Sequence, residues 1–104
     1  MAISTMHDTE ADAVYVTLAA GASVRTVDFG PGTLVDVDAA GRPLGIEVLR
    51  PHREWPVAAI GERFALDAGT LDTLASIGDS FRRACSISDA FRSLDLTPLA
   101  RVPC

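Results

Sequence analysis

The amino-acid sequence predicts an α+β domain: a four-stranded antiparallel meander followed by two or three short helices that pack on one sheet face. Three observations carry this. Apolar and polar residues alternate in four short runs before residue 50. The runs are joined by connections shorter than the roughly dozen residues that a parallel crossover takes. Beyond residue 50 the apolar spacing changes to steps of three and four, the period of a helix with one buried face.

The first strand runs from Ala13 to Leu18, with Val14, Val16 and Leu18 on one face and Tyr15 and Thr17 on the other. Ala20-Gly21-Ala22 offers a turn into the β-branched run from Val24 to Phe29, which Gly30-Pro31-Gly32 closes. Thr33 to Asp38 and Leu44 to Leu49 are the third and fourth strands. The polar segment between them contains Gly41, which can take the positive φ that a hairpin connection requires. Pro51, Trp55 and Pro56 end the strand pattern, and Pro56 suits the first position of a helix through Val57 to Phe64. Thr70 can cap a second helix, with Asp72 in its first turn and Leu71, Leu74, Ile77, Phe81 and Ala84 along one face. Ser86 and Asp89 resemble a capping box that opens a third, with Ile87, Ala90, Phe91 and Leu94 on one face until Pro98. One continuous kinked helix is the alternative. A single domain over residues 1–104 thus divides into a sheet half (8–50), a helical half (51–97) and a loose tail (98–104).

At 48% hydrophobic residues the chain can fill a core, yet no apolar run approaches the roughly 20 residues that a membrane-spanning helix needs. The formal net charge is −5, and residues 1–52 hold seven acidic residues against three arginines. That balance disfavours nonspecific phosphate binding by the sheet half. A nucleic-acid role would fall to Arg82, Arg83 and Arg92, but these are interleaved with acids, and the connector between the second and third helices lacks the glycine of a helix-turn-helix. A nucleic-acid partner is therefore not expected. The opening segment has neither a basic n-region nor an apolar h-region, so a cytoplasmic location is expected. Cys85 and Cys104 belong to no CxxC or Cys/His cluster and read as reduced, unbridged thiols.

Asp36, Asp38, Gly41 and Glu47 fall at positions 1, 3, 6 and 12 of a calcium loop. Ala40 at position 5, Pro43 at position 8 and strands on both flanks depart from that pattern, leaving an acidic hairpin turn. His7, Asp8, Glu10 and Asp12 could bind a metal or move a proton, although aspartates before a strand ordinarily accept backbone N–H bonds in a turn. His52, Glu54 and Trp55 form a polar-aromatic linker, and nothing local activates the Cys85 thiol. No metal or cofactor is expected.

Asp8 to Val16, then Leu34-Val35-Asp36-Val37-Asp38, and then Gly41 through Gly45-Ile46-Glu47-Val48-Leu49 make an ordered set of motifs. Over about residues 8–50 the chain resembles the small bacterial proteins grouped as domain of unknown function 2283. An aspartate-rich opening, a tyrosine-bearing strand, a valine-aspartate strand and a glycine-isoleucine-glutamate strand recur there in this order. The resemblance implies a sheet-plus-helix fold and an antitoxin-like or interaction role. The helical residues beyond 50 lie outside it.

These readings converge on a non-enzymatic protein-interaction module, expected to form a homodimer or dock a protein partner. The contact would be the sheet edge or the helical face around Phe81 and Phe91, with Arg82 and Arg83 beside it. The alternative is a small-molecule-binding protein or minor enzyme with a pocket between sheet and helices, lined by Tyr15, Trp55, His52 and Glu47. Glu47, Asp36, Asp12 and His52 are the candidate catalytic residues, because strand carboxylates brought onto one face can share a proton or a metal.

Overall fold

Alternation builds the sheet. In the computed structural model, which describes residues 3–30 and 32–93 and the side chains of residues 3–30 and 32–84, the strands are β1 (Ser4–Asp8), β2 (Ala13–Thr17), β3 (Arg25–Asp28), β4 (Thr33–Val37) and β5 (Pro43–Leu49). Two helices follow, α1 (Val57–Phe64) and α2 (Ala68–Ser93). Val14 and Val16 of β2, Val35 and Val37 of β4, and Ile46 and Val48 of β5 turn to one face, and all six are buried. Trp55, Ile60 and Leu74 from the helical half close over them in one core.

All strand pairs are antiparallel, in the order β1-β2-β5-β4-β3. Two expectations are corrected. The sheet has five strands rather than four, because Ser4–Asp8 pairs with β2 as an edge strand. All five of its residues are exposed, so it carries no apolar alternation to read. Nor is the sheet a meander: β2 pairs with β5, and residues 18–24 carry the chain past the ends of β5 and β4 to the far edge, as in a Greek key. Composition explains the choice. β5 is largely buried and takes the centre, whereas β3 contributes one half-buried valine, Val27, and suits an edge.

The helical layer consists of two helices. α1 matches the predicted range, and its Gly61 is buried where Leu71 of α2 packs, leaving no room for a Cβ. α2 is capped by Asp67, whose Oδ1 accepts the Thr70 N–H at 2.7 Å, so the cap lies three residues before the Thr70 expected. It then runs unbroken through Ser86 to Ser93. The Ser86–Asp89 signature starts no new helix, because residues 79–93 contain neither glycine nor proline and each added residue gains a backbone hydrogen bond. Leu94 and the expected tail at 98–104 lie outside the described residues.

Trp55 anchors this layer. Its indole N–H donates to the Pro51 carbonyl at 2.8 Å, and its ring stacks on Phe81, with 6.2 Å between centroids. Phe81 in turn meets His7 edge-on at 5.0 Å, so α2 reaches across the sheet to β1. The helices thus cover the valine face.

Candidate functional site

Because side chains alternate across a strand, burying the valines of β2, β4 and β5 turns Tyr15, Asp36 and Glu47 to the opposite face. Register brings them together. Glu47 stands directly across from Tyr15 on one side and Leu34 on the other, and Asp36 stands across from Gly45, two residues further along β5. Tyr15 leans over that glycine, and a Cβ there would overlap the phenol.

The tyrosine hydroxyl donates to Asp36 Oδ2 at 2.9 Å, and the Thr26 hydroxyl donates to Asp36 Oδ1 at 2.7 Å. Asp36 is therefore held by two hydroxyls on the same face, one from β2 and one from β3. Burial pushes the Tyr15 phenol up to about 12, reinforced by the hydrogen bond to Asp36 and by the negative charges of Asp36 and Glu47. The phenol stays protonated and serves as a donor at neutral pH. Met6 and Leu49, both exposed, extend the same face with apolar surface.

The other sequence candidates lie elsewhere. Asp12 has a left-handed backbone (φ 50°) at the turn between β1 and β2, about 16 Å along the strands from the level of Asp36. Asp8 Oδ1 accepts the N–H groups of Glu10 and Ala11, the turn chemistry expected of that segment. His52 sits in the linker after β5, with Nδ1 buried and without a hydrogen-bond partner in the described structure. Trp55 belongs to the core on the valine side, so Tyr15, Glu47 and Trp55 line no common pocket.

Phe81 is half-buried in intramolecular contacts. Arg82 pairs with Asp79, and Arg83 is exposed on α2. The side chains of Phe91, Arg92 and Cys85, and all of Cys104, lie outside the described residues.

Asp38 closes the β4–β5 hairpin: it accepts the N–H groups of Ala40 and Arg42 and pairs with the Arg42 guanidinium at 3.0 Å. Its partners are thus separate from those of Asp36, and among the described residues no three His, Cys, Asp or Glu side chains converge on a metal position. Thr26 is a site residue that sequence reasoning missed. Its only signal is the cross-strand pairing with Asp36, which appears once β3 is paired with β4.

Two clefts of about 600 Å³ each open elsewhere, one between Trp55, α1 and α2, the other where Leu18, Leu44 and Leu66 meet Asp38 and Asp67.

Residues 7–50 match the model of a family described as Protein of unknown function (DUF2283). That span runs from His7 in β1 to the end of β5, and it contains Tyr15, Thr26, Asp36, Gly45 and Glu47. No curated protein and no solved structure matches the chain.

Proposed function

We propose that this protein is a non-enzymatic protein-interaction module that docks a partner on the sheet face opposite its helices. One observation carries the reading: the described helical residues in the core pack on the valine face, while the other face presents Met6 and Leu49 to one side of a hydrogen-bonded polar centre. Exposed apolar side chains beside a preorganised polar group offer a partner both burial and directional contacts. An antitoxin-like role, in which the patch holds a second protein inactive, is one form of this proposal, and a cytoplasmic setting suits it.

Capture from an extract of the source cells tests it. A partner retained by the wild type and by Arg83→Ala, but lost by the double variant Met6→Asp/Leu49→Asp, supports docking on this face. A partner retained equally by all three places the interface elsewhere.

Self-association is a second reading, favoured by β1. Every residue of this edge strand is exposed, and neither proline nor lysine guards it against pairing with another strand. Light scattering on the purified chain reads it directly: a dimer supports strand pairing, and a monomer removes it. The small-molecule reading moves to the cleft beside Leu18, Leu44 and Leu66, and native mass spectrometry showing a stoichiometric retained molecule would favour it.

A further inference from the structure

We propose that the sheet face opposite the described helical core residues recognises arginine, with Tyr15, Asp36 and Glu47 receiving a guanidinium group from an extended segment of a partner protein; this rests on the docking reading above. The strands place Asp8, Asp28, Asp36 and Glu47 on this face and no arginine at any of its strand positions. The charged residues at its strand positions are therefore of one sign. The two hydrogen bonds that Asp36 accepts come from neutral hydroxyls, so they fix the carboxylate in place without cancelling its charge. A carboxylate offers about four lone-pair positions, and two remain for an incoming donor.

Glu47 lies on the neighbouring strand, directly across from Tyr15, and neither it nor Asp36 forms a salt bridge among the described residues. Between these two carboxylates the tyrosine ring lies over Gly45 and supplies an aromatic surface. A planar cation that stacks on a ring while donating sideways to carboxylates is a guanidinium; an ammonium has the charge but not the planar fork. Charge complementarity selects the occupant. A second copy placed face to face would set the same carboxylates against each other, which is repulsive. A partner segment carrying arginine, flanked by apolar residues for Met6 and Leu49, meets both the charge and the apolar rim.

Fluorescence anisotropy of labelled hexa-arginine, hexalysine and hexaglutamate peptides on the full chain tests the proposal. The wild type is expected to bind hexa-arginine in preference to hexalysine and to leave hexaglutamate free. The double variant Asp36→Asn/Glu47→Gln should weaken hexa-arginine binding by about tenfold or more. A charge-matched control, Glu62→Gln/Asp72→Asn on the exposed helix surfaces, should stay within about twofold, since both pairs change net charge equally. Tyr15→Leu should reduce the preference for arginine over lysine. Should the double variant fold poorly by circular dichroism, Glu47→Gln alone keeps the comparison, because Glu47 forms no side-chain hydrogen bond in the described structure.

Equal weakening by the face and control variants would overturn the proposal, as would equal affinity for arginine and lysine peptides. Partner capture is measured separately. Loss of capture in Met6→Asp/Leu49→Asp alongside unchanged peptide binding in Asp36→Asn/Glu47→Gln would leave the docking reading standing and remove the arginine site.

Discussion

Replacing Asp36 by asparagine should lower the titration midpoint of Tyr15, the chain's single tyrosine. In the wild type the phenol is raised from its ordinary 10.0 to about 12, first by burial, then by its hydrogen bond to Asp36 and by the charges of Asp36 and Glu47. The Asp36→Asn substitution removes one negative charge and exchanges a charged acceptor for a neutral one, leaving burial in place. The midpoint should therefore fall part of the way towards 10, the share set by burial and by Glu47 remaining. Glu47→Gln removes a single, smaller contribution and should move it less. Because the folded phenol ionises at higher pH than the unfolded one, this contribution to stability is complete below pH 10 and disappears as pH rises towards about 12. Solvent screening around a half-exposed ring limits it to about 1 kcal/mol. Tyrosinate absorbance, followed over the pH range in which circular dichroism shows the fold intact, reads the midpoint without interference from a second tyrosine. A midpoint unchanged in Asp36→Asn would refute the geometry, because the contact at 2.9 Å could not then be formed in solution.

Three further outcomes follow from the packing and the charges. Leu74→Ala should cost about 2–5 kcal/mol, seen as a lower urea midpoint with an unchanged slope, since Leu74 is fully buried between helix and sheet. Gly45→Ala should displace the Tyr15 ring, costing about 1–3 kcal/mol and lowering the tyrosine midpoint in the same titration. Asp38 is held below its ordinary 3.8 by the Arg42 backbone N–H and then by the Arg42 side chain and the Ala40 N–H; Asp67 is lowered by the Thr70 hydroxyl and backbone N–H. Their contribution is present above pH 3.8 and lost as pH falls through their lowered values. Asp38→Ala and Asp67→Ala should accordingly melt below the wild type at neutral pH, with the gap closing in acid.

Strands that bury one face were legible in the sequence because burial forces alternation. The valines of β2 and β4 and the isoleucine and valine of β5 mark both the strands and the faces that they turn inward. An edge strand escapes this logic. Ser4 to Asp8 buries nothing, and what holds it is backbone pairing with β2, which any side chain permits. Strand order escaped for a different reason: short connections imply neighbours only on average, and here a polar β3 yields the central position to a more apolar β5. The helix at 57–64 was legible, although it carries Gly61 in its interior. A glycine that admits the side chain of another helix is indistinguishable in sequence from one that breaks its own. At the site, alternation was enough to place Asp36 and Glu47 on one face, since each sits directly between two inward-facing neighbours, Val35 and Val37 or Ile46 and Val48. Thr26 and the exclusion of Asp12 depended on register, which no local pattern encodes.

The central position of β5 also sets an order of events during synthesis. β2 leaves the ribosome before its inner partner, the last of the described strands, so Val14 and Val16 wait through some thirty residues of chain before Ile46 and Val48 arrive. The β1–β2 and β3–β4 pairings are local hairpins, whereas the β2–β5 pairing closes the loop with the greatest sequence separation in the sheet. Substitutions at Ile46 should slow folding, whereas those in β1 should chiefly speed unfolding.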